Sequence, residues 1–196
     1  MDRRRGLALA LAALLLVSLA FVGLDFRLAT AETTTSSSVG TAQTADATAP
    51  LDRPLTLLVL GDGPMVDGLG DDLAAQLDDR FPTVTVVDDP SAATNGSVLV
   101  VAVSNHTTSY TPVRATGDVA ADFAYVGSGN ATFATTLVAG ERMVVTNEEP
   151  YVVHGEVRVT DRSRGLLSVP GYRSHLRESL AGTLREALVS APGMEA

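Results

Sequence analysis

The chain of 196 residues contains no cysteine, no tryptophan and no lysine, and its 14 basic side chains are all arginine. Without cysteine, the protein has no disulfide, no thiol nucleophile and no thiolate ligand for zinc or an iron–sulfur cluster. The 23 acidic residues give a formal net charge of −9. Phosphate binding depends on lysine and arginine, so we expect no nucleic-acid partner. No motif in the chain indicates a cofactor.

Carboxylate is what the chain has in excess. At molar ionic strength, salt screens like-charge repulsion beyond a few ångströms, so a surplus of Asp and Glu is tolerated and keeps a protein soluble. Arginine also pairs with carboxylates better than lysine does. A GC-rich genome replaces lysine by arginine as well, but it does not explain the acidity. In composition the chain resembles exported proteins of salt-loving archaea, and we expect a salt-adapted surface.

The N-terminal segment, residues 1–31, has the pattern of an export signal or membrane anchor. Arg3, Arg4 and Arg5 form a cationic cluster, and residues 6–24 follow without a charge. As a helix, this apolar run is about 28 Å long, close to the roughly 30 Å hydrocarbon core of a bilayer. With the arginines inside the cell, the rest of the chain lies outside, so the sequence predicts a single-pass membrane protein with an extracellular domain.

Two fates of this segment are open from the sequence. A signal peptide would be cleaved after Ala31, at the small residues 29–31, and the rest of the chain would be secreted. An uncleaved anchor would keep the helix in the membrane. The apolar run is longer than the roughly 7 to 15 residues usual in signal peptides, which favours the anchor. A lipoprotein is excluded, because there is no cysteine to carry a lipid.

Three of the four asparagines lie in Asn-x-Ser/Thr sequons, which accept N-linked glycans in exported proteins. They are Asn95, Asn105 and Asn130. Because turns favour the same residue types, the sequons strengthen the prediction of export but do not establish it. We expect all three in exposed loops.

Composition divides the remainder into a linker and a domain. Residues 32–54 begin with a run of threonine and serine and carry few large apolar side chains. They are therefore expected to form a disordered or extended linker that spaces the domain from the membrane. Residues 55–196 supply strand and helix patterns over about 140 residues, enough for one hydrophobic core.

Hydrophobic patterns predict the elements of this outer domain. Leucines that recur every fourth residue predict two helices, one ending near Arg80 and one beginning at Pro170. Apolar runs predict strands at 55–60, 83–87, 98–103, 143–146 and 151–160. In the last of these, alternate residues, among them Val157 and Val159, fall on one apolar face. A hairpin turn is expected at 161–165, whereas residues 105–139 predict no clear arrangement. The fold class is therefore α/β or α+β, with at least two helices packed on a mixed β-sheet.

The order of these elements resembles the envelope-accessory domains found at the N-terminus of TolB and in outer-membrane assembly lipoproteins of the CsgG type. The stretches that carry the resemblance are 58–60, 69–77, 86–88 and 155–167. The resemblance implies binding and assembly in the cell envelope, without catalysis.

A second resemblance concerns residues 61–64, Gly-Asp-Gly-Pro, which follow a buried strand. They are similar to the first block of the SGNH hydrolases, in which a nucleophilic serine stands at the position of Gly63. In that resemblance Asn130 matches an oxyanion group and His154 the late base. It implies a degenerate hydrolase with Asp62, Asn130 and His154 around one pocket. The alternative is a strand-to-helix turn that uses glycine for its backbone angles and aspartate as a helix cap.

The other polar residues predict no metal site. His106, His154 and His175 are far apart, and no two have metal-ligand spacing. The aspartates between 62 and 89 match no calcium-binding loop, and a solvated acidic face explains them. Four arginines near the expected hairpin are candidates for recognising a carboxylated glycan or partner, although pairing with the surplus carboxylates also explains them. They are Arg158, Arg162, Arg164 and Arg173.

Two functional hypotheses follow from the sequence. The first is a membrane-tethered extracellular binding or assembly module of the cell envelope, with an envelope protein or a glycan as its partner. The alternative is a degenerate SGNH-like surface hydrolase that lacks the nucleophilic serine. The two differ in whether Asp62, Asn130 and His154 meet, because catalytic groups must lie within hydrogen-bond reach of one substrate.

Overall fold

The computed structural model describes residues 11, 13–16, 18–19, 21, 23–43, 47–93, 96–141 and 151–194. Those described between 11 and 23 are helical. In the described ranges, no helix has both the length and the apolar character needed to cross a membrane. Some predicted features lie outside the described residues: the flanking arginines Arg3, Arg4 and Arg5, the sequon asparagine Asn95 and the strand at 143–146.

The described strands form one mixed sheet. In chain order they are β1 (Arg27–Gln43), β2 (Leu55–Leu60), β3 (Val84–Val87), β4 (Ser97–Thr111), β5 (Arg114–Val126) and β6 (Tyr151–Leu167). Their order across the sheet is β1-β6-β5-β4-β2-β3. The neighbours from β1 to β4 are antiparallel, whereas β2 runs parallel to both β4 and β3.

Helices cover the sheet unequally on its two faces. The described domain contains α1 (Leu69–Leu77), α2 (Ala131–Val138), α3 (Val169–Val189) and a short 3₁₀ turn at Pro90–Ala92. α1 and α3 pack on one face over the main core, and α2 packs on the other face over a smaller core at one end of β4 and β5. The predicted mixed sheet with at least two helices packed on it is confirmed.

The leucine repeats explain the helix-covered face. Leu69, Leu73 and Leu77 of α1 are fully buried, as are Leu176 and Leu180 of α3. Residues four apart lie on one side of a helix, so each repeat forms an apolar stripe that packs on the sheet. Val157 and Val159 on β6 point toward the same core, as the alternation of that strand predicted.

The predicted linker at 32–54 is wrong over its first half. β1 extends through Gln43 and pairs with β6 from Arg27↔Leu167 to Gln43↔Tyr151. An edge strand gains backbone hydrogen bonds from one neighbour while its side chains stay in water, so a Thr/Ser-rich composition does not prevent it from ordering. The folded domain therefore begins at Arg27, and residues 27–31, assigned to the export segment, belong to the sheet.

The predicted turn at 161–165 is also wrong, because β6 continues without a break to Leu167. Asp161 and Ser163 sit on the buried face of the strand, at positions where an apolar residue is usual. Residues 105–139, for which the sequence predicted no clear arrangement, form the outer part of β4, the whole of β5 and α2. A register shift between Val103 and Asn105 interrupts the β4–β5 ladder and changes which residues of β4 face the helices.

Candidate functional site

Two residues of the hydrolase hypothesis, Asp62 and Asn130, lie at opposite ends of β2. Asp62 follows Leu60, the last residue of this strand. Asn130 follows β5, whose last residue, Val126, pairs with Val98 at the start of β4, beside the first residues of β2. A strand of six residues spans roughly 20 Å. The structure therefore does not bring Asp62 and Asn130 together.

His154 is displaced sideways from the same strand. It lies on β6 opposite Ala124, with β5 and β4 between it and β2. Three strand spacings amount to about 14 Å, so Asp62 and His154 do not share a pocket either. The predicted catalytic set is not assembled.

Local backbone chemistry accounts for the motif at residues 61–64. Gly61 and Gly63 have φ angles of 129° and 94°, which side-chain-bearing residues rarely adopt. The predicted helix cap at Asp62 is wrong, since α1 begins at Leu69 and follows Gly68. Asn130 has a structural role, because its side-chain oxygen accepts a hydrogen bond from the Phe133 N–H at 3.0 Å and caps α2.

A buried polar cluster lies between β1, β6 and α3. The Asp161 carboxylate is 0% exposed and accepts hydrogen bonds from the hydroxyls of Thr33 at 2.7 Å and Ser163 at 2.8 Å. His175 Nε2 lies 2.9 Å from the same carboxylate. Three elements thus meet at one buried carboxylate, which we name the Asp161 cluster: Thr33, Asp161, Ser163 and His175.

These contacts give Asp161 an unusual pKa. Burial raises the pKa of the carboxyl group, but hydrogen bonds from His175, Thr33 and Ser163 together outweigh this and lower it to about 2. Nearby, burial and then the Asp161 charge raise the pKa of the Tyr172 hydroxyl. That hydroxyl makes no hydrogen bond of good geometry with the described residues.

The Asp161 cluster does not have the geometry of a catalytic triad. In a triad the base uses one ring nitrogen for the acid and the other for the nucleophile. Here Asp161 and the Thr33 hydroxyl both approach Nε2 of His175, at 2.9 Å and 3.4 Å. Because one ring nitrogen cannot donate a proton to Asp161 and accept one from Thr33 at the same time, the cluster joins the edge strand, its neighbour and α3 rather than activating Thr33.

The opposite side of the same strands is open. We name as the open face the side chains of β1, β6, β5 and the outer part of β4 that point away from α1 and α3 and lie outside the area that α2 covers. At its centre Arg158 forms an ion pair with Asp118. Nε of Arg158 lies 3.1 Å from both carboxylate oxygens, and Nη2 lies 2.9 Å from Oδ1. Thr160 and Asn105 also donate to Asp118, at 3.0 and 3.3 Å.

Beside this network the open face forms a shallow concavity of about 450 Å³. Its lining includes hydroxyl groups, two arginines and one partly exposed carboxylate: Thr107, Ser109, Arg114, Thr116, Asp118, Thr160 and Arg162. The hydroxyls both donate and accept hydrogen bonds, and the arginines present planar donor groups that suit carboxylates. Because Asp118 is already paired with Arg158, the concavity is suited to a polar ligand whose negative charge reaches the two arginines.

Three of the four arginines singled out from the sequence meet on the open face. Arg158, Arg162 and Arg164 follow alternate positions of β6, while Arg173 lies on α3 across the sheet. Among the described residues, only Arg158 of the β6 arginines has a carboxylate within 4.0 Å. Arg114, which the sequence did not single out, pairs with Arg164 across the two strands. The β6 alternation, extended past Thr160, would have identified this row.

Two sequon asparagines fall within the described residues, and both are exposed. Asn105 lies on strand β4 instead of the predicted loop, and its amide reaches Asp118. Asn130 lies at the start of α2.

In the described ranges, no group of three or more His, Asp or Glu side chains is arranged to hold a metal ion.

No protein-family model matches the chain, and no curated protein matches it. Among solved structures it is similar to two PelC dodecamers from Paraburkholderia phytofirmans, at 14% identity, with TM-scores of 0.42 and 0.40. These matches cover 78% and 76% of this chain and 98% and 96% of theirs. It is also similar to lipoprotein GNA1162 from Neisseria meningitidis, at 17% identity and a TM-score of 0.31, over 68% of this chain and 99% of that one. Such low scores assign neither a family nor a function.

Proposed function

We propose that this chain is a membrane-tethered extracellular binding or assembly module of the cell envelope. In this proposal an uncleaved N-terminal helix holds the domain at the outer surface, and the open face of the sheet binds an acidic glycan. The membrane tether is inferred from the junction between the N-terminal helix and the sheet. The acidic ligand is inferred from the arginines of the open face.

The N-terminal segment supports a membrane tether. Its described leucines are exposed, in contrast to the fully buried leucines of α1 and α3. A contiguous exposed run of leucine is not stable in water and requires a cover, which a bilayer provides. The exposed leucines are Leu11, Leu14, Leu15, Leu16, Leu19 and Leu24.

The junction at Phe26 supports an uncleaved helix, and it is the observation that carries the proposal. The Phe26 N–H donates to the Ser168 hydroxyl, and its carbonyl accepts from the Ser168 N–H, both at 3.0 Å. A Cβ at position 171 would lie 2.5 Å from the Phe26 carbonyl oxygen, so Gly171 lets this segment cross the start of α3. Cleavage after Ala31 would remove Phe26 and the first five residues of β1, and with them these contacts.

The charge distribution supports an acidic ligand. The chain after Ala31 carries ten arginines and twenty-one carboxylates, a net charge of −11. Among the described residues, Arg114, Arg162 and Arg164 have no carboxylate within 4.0 Å, and their exposed side chains lie close together on the open face. A carboxylate-bearing polysaccharide would pair with the Arg162 guanidinium group and hydrogen-bond the surrounding hydroxyls.

The tether is tested by fractionating cells that produce the full chain and by measuring the mass of the mature protein. We expect the protein in the membrane fraction, resistant to alkaline extraction, with residues 1–31 retained. Protease added outside intact cells should digest the domain. A mature chain that begins at Glu32 and appears in the medium would contradict the tether.

Ligand binding is tested with the full chain in detergent, by titrating alginate as a carboxylated polysaccharide and dextran as a neutral one. We expect alginate binding to fall about tenfold in Arg162→Gln, as loss of one charge-assisted pair predicts. Arg53→Gln is the matched control, because it removes the same charge from an exposed site before β2. Equal losses in both variants would indicate a general charge effect. Capture of an envelope protein without alginate binding would show that the partner is a protein and not a glycan.

A further inference from the structure

The exposed apolar side chains of the folded domain concentrate at one end of the sheet. Leu28, Val113 and Leu166 are 76%, 60% and 47% exposed, more than any other large hydrophobic residue described outside the N-terminal helix and Leu24. Leu28 pairs directly with Leu166 across β1 and β6. The Val113 carbonyl accepts a hydrogen bond from the Gly165 N–H at 3.0 Å, so the β4–β5 turn lies beside this pair.

This end of the sheet is continuous with the N-terminal segment. β1 begins at Arg27, so Leu28 follows the apolar helix within a few residues. The contacts of Phe26 with Ser168 hold the intervening backbone against the domain. The helix and the patch therefore cannot move far apart, and a membrane that contains the helix lies next to the patch.

Two arginines flank the patch on the open face. Arg114 and Arg164 pair across β5 and β6, and Thr30 of β1 pairs with Arg164 on its other side. Leu28 and Leu166 lie two positions further along the same side of their strands, because side chains alternate between the faces. Apolar side chains next to arginines at an exposed edge match a bilayer interface, where guanidinium groups bind lipid phosphates and apolar groups enter the acyl region.

We infer that this end of the sheet docks on the outer surface of the bilayer. Leu28, Val113 and Leu166 enter the interfacial region, and Arg114 and Arg164 contact the phosphates of the lipid headgroups. This inference rests on the proposed membrane tether. It adds a fixed orientation: the strands rise from the membrane, and the opposite end of the sheet, near Asp52, lies roughly 45 Å away along β6.

The absence of cysteine makes the orientation measurable at single sites. The full chain carrying Val113→Cys, labelled with an environment-sensitive fluorophore, is reconstituted in phosphatidylglycerol–phosphatidylcholine vesicles with a nitroxide on the lipid acyl chain. We expect a blue-shifted emission that loses most of its intensity to the nitroxide. The matched control is Asp52→Cys, exposed at the opposite end of the sheet, which should show neither effect.

Second variants show which groups make the contact. In the Val113→Cys background, the pair Leu28→Asp and Leu166→Asp should abolish the quenching, because both side chains are exposed and their replacement leaves the core intact. The pair Arg114→Gln and Arg164→Gln should reduce it partly. Circular dichroism of each variant verifies the fold.

The outcomes separate this inference from the proposed function. If the protein stays in the vesicles but the label at 113 is not quenched, docking is refuted and the tether stands. If the emission is blue-shifted without lipid quenching, a second protein copy covers the patch and docking is again refuted. If the protein does not remain with the vesicles, the tether fails and both proposals fall.

Discussion

Asp118 and Asp161 lie on neighbouring strands and face opposite sides of the sheet. Each has three hydrogen-bonding partners, but Asp161 is fully buried under α3, whereas the Asp118 side chain is 26% exposed on the open face. Asp161 binds groups from three different elements. Asp118 binds groups that all lie on the exposed surface of β4 and β6. The covered face therefore uses charge to join elements of the fold, whereas on the open face the Arg158–Asp118 pair remains in contact with solvent.

Removing the buried carboxylate should produce the largest effect. We expect Asp161→Ala to lower the free energy of unfolding by roughly 3–5 kcal/mol, because His175, Thr33 and Ser163 lose a shared buried partner. Denaturant unfolding of the full chain in molar salt measures this loss. A loss below about 1 kcal/mol would show that the two faces do not differ as the burial of Asp161 implies.

The ionisation of Asp161 should appear in the pH dependence of stability. Its pKa is about 2 in the folded protein and 3.8 for the ordinary side chain. A carboxyl group whose pKa is lowered by folding stabilises the folded protein at every pH above its pKa in the unfolded chain. The contribution, on the order of 2 kcal/mol, is therefore complete above about pH 4 and is lost as the pH falls toward 2.

Unfolding measured between pH 5 and pH 2, with Asp161→Asn as the reference, isolates this contribution. The difference in stability between the two proteins should shrink as the pH falls. A difference that does not change with pH would mean that Asp161 is not the titrating group.

The Ser168 hydroxyl should have an intermediate effect. It accepts from the Gly171 N–H at 3.0 Å and caps α3, and it also contacts the Phe26 backbone. Loss of a helix cap costs about 1 kcal/mol, and up to about 2 kcal/mol in favourable cases. We expect Ser168→Ala to lower the free energy of unfolding by an amount in this range, as measured by thermal unfolding. The matched Ser190→Ala, at the other end of α3, should change stability by less than about 0.5 kcal/mol.

The exposed pair should have the smallest effect on stability. We expect Asp118→Asn and Arg158→Gln each to change the free energy of unfolding by about 0–1 kcal/mol, with a coupling energy in the same range in the double-mutant cycle. Water replaces the lost contacts on this face. A coupling energy above about 2 kcal/mol would show that the Arg158–Asp118 pair is structural, like the Asp161 cluster.

Much of the helix-covered core was predictable from the sequence. Leu69, Leu73 and Leu77 recur every fourth residue, and this spacing places them on one side of a helix whatever surrounds it. The alternation of Val157 and Val159 likewise assigned the inner face of β6. These predictions succeeded because each depends on residues close together in the chain.

The polar parts of the fold were not predictable in the same way. Thr33 belongs to a stretch with the composition of a linker, and Asp161 to one with the composition of a turn, yet both lie in strands. What orders them is pairing between β1 and β6, more than a hundred residues apart in the chain, together with His175. Composition reports how much apolar surface a segment can bury, but not the backbone hydrogen bonds that a distant strand supplies.

The candidate hydrolase site was grouped by the sequence but is separated by the fold. Asp62, Asn130 and His154 were grouped because their order along the chain matched a motif resemblance. The parallel β2–β4 pairing and the antiparallel β4–β5 pairing send the segments after β2 and β5 to opposite ends of the sheet. The order of residues in a motif does not determine their distance, since strand direction decides where each loop emerges.

The sequence alone determined the apolar N-terminal segment, the acidic and lysine-free composition, and the mixed sheet with its leucine-striped helices. These features follow from local composition and from spacing of a few residues. Only the tertiary structure decided that β1 belongs to the sheet, that Asp161 is buried while Asp118 is exposed, and that Leu28, Val113 and Leu166 meet beside Arg114 and Arg164. Those arrangements depend on which strands pair and which face α3 covers, and such long-range contacts form only when the whole chain has folded.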